Sequence, residues 1–256
     1  MQIPGAPEHD ADHVLACVEI GGGSMQTVLF NNGDQPRLLD GAHHPEGSIL
    51  GLAVPGLISD GIVVHASNLD WRNVDPVEAL GLDGPAAVVL NDAEAAALGE
   101  AALRGTDGLG ALVYMCAGTG IGGAVIRDGK VLRSNLFGHN AEDHGSSFGD
   151  KACRCGRHGC LETVAAGWAL PEPLGEKDLI IRAERLAAAI EMHPLAEEGT
   201  VVVAGGIARR YPDLVHLLKL RLAARDVEHT LAPYDAKSAA AWGLRYLLRG
   251  AVEALV

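Results

Sequence analysis

Residues 111–126 read ALVYMCAGTGIGGAVI, which is a short apolar run, a glycine-rich turn and a second apolar run. The runs at 111–116 and 123–126 are typical of buried strands. The turn Gly118-Thr119-Gly120 follows the first run directly, and glycines let a backbone approach phosphate oxygens closely. Because ligands of α/β folds gather beyond the carboxyl ends of strands, this stretch favours such a fold with a ligand site at the turn.

The same order of apolar run and glycine turn recurs elsewhere in the chain. Gly21-Gly22-Gly23-Ser24 follows a run at 13–20, and Gly205-Gly206 follows a run at 200–204. Further short runs predict strands at 26–30, 49–54, 62–64 and 86–91. Apolar residues at i, i+3 and i+4 predict helices at 92–103, 178–190, 211–224 and 235–248. Strands followed by helices predict an α/β fold with layered sheets.

The composition is that of a globular protein. The chain has 256 residues, 48% of them hydrophobic and 21% charged, which predicts one or two domains and excludes a disordered or fibrous chain. No apolar run reaches the ~18 residues of a membrane helix. The chain start carries Glu8, Asp10 and Asp12 and lacks the basic and apolar segments of a signal peptide. We therefore expect a soluble, cytoplasmic protein without a membrane partner.

The net charge limits the kinds of binding partner that we expect. There are 33 acidic residues against 20 Lys and Arg, a formal charge of −13, and the basic residues form no cluster. A protein that binds a nucleic-acid backbone usually carries the opposite sign, so we expect no nucleic-acid partner. Nucleotides stay possible ligands, because backbone N–H groups and a metal ion can hold their phosphates.

The cysteines indicate a metal site. Five are present, and an odd number in a cytoplasmic chain argues against a disulfide framework. Cys17 and Cys116 lie in apolar runs, which predicts small core residues. Cys153, Cys155 and Cys160 share a glycine-broken loop, and three thiolates with one imidazole are a common structural zinc set.

The fourth zinc ligand stays open on sequence grounds. His144 lies nine residues upstream of the first loop cysteine and is the preferred candidate. His139 and His158 compete with it, although His158 lies between two cysteines and has little room to turn inward. The alternative to a metal site is three unrelated free thiols on one loop.

Two positions have a chemical interpretation and a purely structural one. Asp92 lies where an apolar strand ends and a helix begins, so its carboxylate can project into a cleft as a general base or can merely cap the helix. The Gly118–Gly120 turn can cradle a phosphate with the Thr119 hydroxyl and backbone N–H groups, or can be an ordinary hairpin turn.

Several of these motifs together resemble the ROK family (repressors, open reading frames and sugar kinases). The cysteine motif is the most specific match, and the matches follow the family order from Glu19 to the last helix. They are Val54-Pro55-Gly56 with Ser59-Asp60-Gly61, Asn68-Leu69-x-Trp71, Asn91-Asp92-Ala93-Glu94-Ala95-Ala96, Gly118-Thr119-Gly120-Ile121-Gly122-Gly123, Glu142-Asp143-His144, Cys153-x-Cys155-Gly-x-x-Gly-Cys160-Leu161-Glu162 and Gly205-Gly206.

The resemblance implies a fold and an activity. The fold is the two-lobed, actin-like ATPase or ribonuclease H-like α/β fold with a cleft between the lobes, here shortened relative to the family. The lobes would be residues 1–107 on the sugar side and 108–256 on the nucleotide side, with the zinc loop at 144–160 and a final helix that can pack back on the first lobe. The activity is that of a glucokinase-like, ATP-dependent hexose kinase that uses Mg²⁺ with ATP and a structural Zn²⁺.

The resemblance also assigns roles to residues. Asp92 would be the general base. The hexose would be bound by Asn68, Asn91, Asp92, Glu142, His144 and Glu162. The nucleotide would be bound by Glu19, Gly21, Gly22, Gly23, Ser24, Gly118, Thr119, Gly120, Gly205 and Gly206. The metal would be held by His144, Cys153, Cys155 and Cys160.

The chain departs from the family pattern at several points. The first phosphate loop has Glu19 in place of the usual Asp and Gly23 in place of the usual Thr, and Glu142 and His144 are one residue closer together than usual. These differences motivate a second hypothesis, a sugar-binding sensor without catalysis and without a DNA-binding domain. A third keeps catalysis with another donor such as polyphosphate. Shortened lobes expose apolar surface, so we also expect a homodimer.

Overall fold

The structure is a computed structural model that describes residues 13–21, 24–31, 35–105, 110–133, 137–139, 150–169, 173–191, 199–224 and 239–253. The described chain begins with a series of strands, continues with strands and helices in mixed order and ends with helices. Two larger sheets with helices packed on them form the core. The α/β fold expected from the sequence is therefore confirmed.

The first large sheet has five strands in the order β3-β2-β1-β4-β8. β1 runs antiparallel to β2 and parallel to β4, and β4 runs parallel to β8. Because the parallel strands end at the same edge, the turn after β1 and the junction after β8 face the same region. The bounds are β1 Leu15–Ile20, β2 Met25–Phe30, β3 Arg37–Asp40, β4 Ile49–Val54 and β8 Val88–Asn91.

A small antiparallel sheet, β5-β6-β7, packs beside the first sheet. Its strands are β5 Leu57–Ser59, β6 Ile62–Ala66 and β7 Trp71–Val74, and Asn68 lies in the turn between the last two. Gly56, just before β5, has φ +113° and lies against the backbone of His65 and Ala66 without room for a Cβ. This close approach fixes the path of the chain into the small sheet.

The second large sheet has the order β11-β10-β9-β12. β9 pairs antiparallel with β10 and parallel with β12, with Cys116 opposite Ala204. This register brings the turn that follows β9 and the turn that follows β12 to the same edge of the sheet. The bounds are β9 Ala111–Ala117, β10 Ile121–Arg127, β11 Lys130–Arg133 and β12 Thr200–Ala204.

Helices cover the second sheet on both faces. On β9, Val113 and Met115 are buried among residues of α4 and α6, whereas Leu112 and Tyr114 are buried among residues of α2. Helix α7 contacts α2 and also packs on β1 and β4 of the first sheet. The bounds are α1 Pro76–Ala79, α2 Asp92–Arg104, α3 Glu162–Ala165, α4 Glu176–Glu191, α5 Gly206–Arg210, α6 Pro212–Ala223 and α7 Ala239–Glu253. In the described ranges no helix is both long enough and apolar enough to cross a membrane.

Of the described elements, the sequence prediction omitted four strands and the three short helices α1, α3 and α5. β3, β5, β7 and β11 are short and carry polar residues, and such strands are held by pairing with a neighbour rather than by an apolar pattern of their own. The last helix was predicted at 235–248; it is described from Ala239 and continues to Glu253. Cys17 is fully buried as predicted, but Cys116 is only half-buried because it lies near the open end of β9.

Candidate functional site

Asn91 and Asp92 are adjacent polar residues at the junction between β8 and α2, and they make different contacts. The Asn91 side chain is the cap of α2: its Oδ1 accepts hydrogen bonds from the N–H groups of Ala93 at 2.9 Å and Glu94 at 3.3 Å. Its Nδ2 donates to the carbonyl oxygen of Gly56 at 2.9 Å. Asp92 is the first residue of the helix, and the Asn91 side chain provides most of the capping. The Asp92 carboxylate is therefore not required as the cap.

The environment of Asp92 favours proton acceptance near neutral pH. Burial raises the pKa of Asp92 to about 6, and a hydrogen bond from the Ala93 N–H to the carboxylate partly opposes this effect. A carboxylate with a raised pKa is a stronger base than an exposed aspartate, and it still ionises at physiological pH.

Glu19 lies on β1 at the same end of the first sheet. Its Oε2 accepts a hydrogen bond from Gln26 and its Oε1 accepts one from the N–H of Ala241 in α7, both at 2.5 Å. Burial raises the pKa of Glu19, the two hydrogen bonds oppose the rise, and the Asp92 carboxylate adds to it. Since β1 and β8 both run parallel to β4, Glu19 near the end of β1 and Asp92 just after β8 lie towards the same edge of the sheet.

The turn after β1 is partly described. The Gly21 N–H donates to the Ser24 carbonyl at 2.8 Å, which closes a tight loop between β1 and β2. Gly22 and Gly23, which the sequence assigns to the same phosphate loop, lie outside the described residues.

The turns after β9 and β12 lie side by side. Gly118 faces Gly206, since a Cβ built on Gly118 would lie 3.9 Å from the Gly206 nitrogen and would meet no closer atom. Gly205 has φ +104° and packs against the Ala117 backbone with no space for a side chain. The Gly118 N–H donates to the Gly120 carbonyl at 2.9 Å, so the turn is a hairpin as well as a candidate phosphate cradle.

Cys116 lies on β9, just before the turn that follows this strand. Burial raises the pKa of Cys116 to about 12 and the Asp92 carboxylate adds to the rise, whereas a hydrogen bond with Tyr114 and the charge of Arg209 lower it. The thiol is therefore neutral at physiological pH. Its place in an apolar run predicted a core residue, and Cys116 packs against the core cluster that contains Leu112 and Tyr114.

The Glu162 carboxylate connects the two sides of the site. Glu162 is 6% exposed, and its Oε1 accepts a hydrogen bond from the Ile121 N–H at 2.8 Å. A Cβ on Gly120 would lie 2.5 Å from this oxygen and 3.9 Å from Nδ2 of Asn68. The structure thus brings Asn68, Gly120 and Glu162 together, and their roles in binding stay predictions.

The three loop cysteines gather around His139. The ligand atoms of His139, Cys153, Cys155 and Cys160 all lie within 4.8 Å of one another. The Cys155 and Cys160 sulfurs are 3.6 Å apart, and Nδ1 of His139 is 3.5 Å from the Cys153 sulfur. Three thiols and an imidazole at this spacing fit a tetrahedral zinc ion.

Of the three histidines considered as the fourth zinc ligand, the structure describes two, His139 and His158. His158 is exposed and pairs its backbone with Ala152, away from the cluster. His144 and Glu142, assigned to the metal and to the sugar, lie outside the described residues. His139, the competitor in the sequence analysis, is the histidine found beside the cysteines among the described residues.

Trp168 is a site residue that the sequence analysis did not single out. Its indole Nε1 donates to Glu162 Oε2 at 2.9 Å, and its backbone N–H donates to the Thr119 carbonyl at 3.2 Å. The available signal was a large aromatic residue in a stretch of glycine and proline directly after the cysteine motif.

Comparisons with known proteins bear on the family of the chain. The sequence model described as "ROK family" matches residues 38–221, well over half of the chain. A glucokinase of Halalkalibacterium halodurans is 33% identical over 153 residues, covering 57% of this chain and 46% of that protein. A xylose repressor of Caldicellulosiruptor bescii is 34% identical over 132 residues, covering 49% of this chain and 33% of that protein. The matched region is therefore less than half the length of these relatives.

A solved structure extends the likeness to the whole fold. The ROK hexokinase of Thermus thermophilus superposes with a TM-score of 0.63 at 21% identity, covering 93% of this chain and 99% of that chain. At this identity the likeness shows the fold alone. It confirms the expected two-lobed, actin-like ATPase fold.

Proposed function

This chain belongs to the ROK family, and from that premise we propose that it transfers the γ-phosphoryl group of ATP to a hexose hydroxyl, as a glucokinase-like enzyme. The observation that carries the proposal is made at the β8–α2 junction: Asn91 caps the helix, and the partly buried carboxylate of Asp92 has a raised pKa. Because Asn91 already caps the helix, capping does not account for the aspartate at position 92.

Asp92 is the proposed general base. Phosphoryl transfer to a hydroxyl needs a group that orients the hydroxyl and takes its proton, while the site holds both substrates in line. Asn91 fixes the Asp92 backbone through the cap and through its bond to Gly56, which ties the base to the small sheet. Asn91 is therefore a positioning residue in this proposal, and its predicted contact with the sugar stays a prediction.

The nucleotide is proposed to lie at the paired glycine turns. Gly118–Gly120 and Gly205-Gly206 offer backbone close to one another, which suits the binding of phosphate groups by N–H donors. The hydroxyls of Thr119 and Ser24 and the glycines Gly21, Gly22 and Gly23 complete the predicted nucleotide site. Mg²⁺ bound with ATP neutralises phosphate charge, and the carboxylates of Glu19 and Asp92 are suitable groups to face it.

The hexose is proposed to bind between Asn68 and Glu162, next to Asp92. Sugars are discriminated by hydrogen bonds whose loss leaves buried polar groups unpaired, and both side chains are polar groups that lie beside Gly120. Glu142 and His144 are further predicted sugar ligands outside the described residues.

We propose structural Zn²⁺ at His139, Cys153, Cys155 and Cys160, with His144 as the competing fourth ligand. The metal would fix the loop before Glu162 in place and would not contact the reacting phosphoryl group. The four donor atoms already lie close enough together to share one ion.

The test is a coupled kinase assay with MgATP, polyphosphate and a panel of hexoses. We expect turnover by the parent protein and loss of at least ~1,000-fold in kcat for Asp92→Asn, since base and orientation are removed together. Asp213→Asn, in the exposed first turn of α6, is the matched control and keeps full activity. Full activity of Asp92→Asn would refute the assignment of the base.

The second candidate is a sugar-binding sensor without catalysis. It is favoured by the xylose repressor among the relatives and by Glu19, whose two oxygens already accept bonds from Gln26 and Ala241. Calorimetry together with the coupled assay decides between the candidates, because a sensor binds a hexose but shows no turnover with any donor.

The homodimer also stays a proposal. Ile181 on α4 and Leu220 on α6 are each 53% exposed, and a partner could cover such apolar side chains. Sedimentation velocity of the purified protein measures the assembly state directly.

A further inference from the structure

Trp168 joins three parts of the site that the sequence separates. Its indole N–H donates to Oε2 of Glu162 at 2.9 Å, while the other oxygen of that carboxylate accepts from the Ile121 N–H at 2.8 Å. The two bonds hold both oxygens of a buried carboxylate in fixed directions. Rotation of the Glu162 side chain would break at least one of them.

The Trp168 backbone is attached to the phosphate-side turn. Its N–H donates to the Thr119 carbonyl at 3.2 Å, and the N–H of the preceding Gly167 donates to the Gly118 carbonyl at 2.9 Å. Gly167 lies so close to this turn that a Cβ would come within 2.9 Å of the Gly118 oxygen. These two hydrogen bonds therefore attach residues 167–168 to the Gly118–Gly120 turn.

The Trp168 ring is attached to the cysteine loop. The guanidinium of Arg154, between Cys153 and Cys155, lies 4.6 Å from the ring centroid, a geometry typical of a cation–π contact. Trp168 is thus contacted by the cysteine loop on its face, by Glu162 at its N–H and by the phosphate-side turn at its backbone.

We propose that Trp168 is a positioning residue for hexose binding: it holds the Glu162 carboxylate in the orientation that receives the sugar and links that orientation to the cysteine loop and the Gly118–Gly120 turn. The inference rests on the proposed function, because it takes Glu162 to be a sugar ligand. A carboxylate that must be reoriented on binding loses affinity, since part of the interaction free energy is spent on ordering it.

The test compares Trp168→Phe with the parent and with Trp242→Phe. The phenylalanine keeps an aromatic face for Arg154 but cannot donate to Glu162. Trp242 packs against Phe30 in the first sheet, so its replacement controls for the loss of an indole. Calorimetry with hexoses gives Kd, steady-state kinetics give the two KM values, and metal analysis gives the zinc content.

We expect Trp168→Phe to weaken hexose binding about tenfold, as for loss of a hydrogen bond to a charged group. The KM for ATP and the zinc content should stay within about twofold of the Trp242→Phe values, a split that a general loss of folding would not produce. Hexose binding should also change the fluorescence of Trp242→Phe more than that of Trp168→Phe, because only the former keeps the indole that contacts Glu162.

Two outcomes separate this inference from the proposed function. If the parent binds hexose without turnover, the kinase proposal fails while the comparison of Kd values still decides the role of Trp168. If hexose affinity of Trp168→Phe equals that of the parent, the positioning role is overturned even in an active kinase. A parent that binds no hexose overturns both. Should Trp168→Phe fail to fold, the exposed Arg154→Ala gives the same test, with an expected loss of about threefold.

Discussion

Gly99 and Gly243 are in contact where α2 crosses α7. A Cβ on Gly99 would lie 3.0 Å from the Gly243 nitrogen and would overlap the Ala239 carbonyl oxygen. The two helices can approach this closely because neither has a side chain at the crossing. Since α2 begins with Asp92 and α7 supplies the N–H that binds Glu19, the crossing ties the two carboxylates of the cleft to one another.

Gly99→Ala should destabilise the protein and misplace the base. The added methyl group has backbone on the other side, which cannot rotate away, and overpacking of this kind costs about 1–3 kcal/mol. We expect a lower free energy of unfolding in urea and a reduced kcat. Gly250→Ala, in the exposed part of α7 with open space around it, is the control and should be neutral or slightly stabilising. Equal stability of the two variants would contradict the crossing.

The activity of the protein should fall in mild acid. The proposed base acts only when ionised, and the pKa of Asp92 is raised to about 6 by burial. The ratio kcat/KM should therefore be level above this pH and fall about tenfold per pH unit below it. The folded state also holds this proton more strongly than the unfolded chain, so this contribution to stability is lost as pH rises through 6. Asp92→Asn should lack that loss, and a rate profile that stays level to pH 5 would argue against Asp92 as the base.

Glu94→Gln should move the acid limb of the rate profile to lower pH. The charge of Glu94, in the first turn of α2, adds to the raised pKa of Asp92, so its removal lowers that pKa. The exposed Glu46→Gln is the control and should leave the profile unchanged. An unchanged acid limb in Glu94→Gln would mean that this charge does not act on Asp92.

Metal analysis should find one zinc per chain. Cys155→Ser should lose it, because three ligands with a weak hydroxyl bind zinc poorly. His139→Ala and His144→Ala decide the fourth ligand, since only one of them should lower the metal content. A chelator should also lower the melting temperature of the parent. Absence of zinc from the purified parent would remove the site.

Gly120→Ala should weaken hexose binding more than ATP binding. Its Cβ would lie 2.5 Å from Glu162 Oε1 and would displace the carboxylate from the pocket. Gly118→Ala is the matched change in the same turn, and its Cβ meets no atom closer than 3.9 Å. We expect it to weaken ATP binding rather than hexose binding. The two KM values of each variant check this, and the same pattern in both would argue against a separate hexose side.

The sequence determined the parts of this protein that depend on local chemistry. Apolar runs set the central strands, the glycines after β1, β9 and β12 indicated the turns, and three cysteines in one loop predicted a metal site before any contact was known. Each of these features depends on residues that are close together in the chain, so it can be predicted without knowing the tertiary contacts.

Only the tertiary structure decided which of several candidate residues makes a given contact. Asn91 caps α2, although the sequence also allows Asp92 to cap. Trp168 reaches Glu162, and the N–H of Ala241 reaches Glu19 across 222 positions. Such choices depend on distances between segments that are remote in the chain. Those distances are fixed by packing, as at Gly99 and Gly243, and not by the preferences of any single residue.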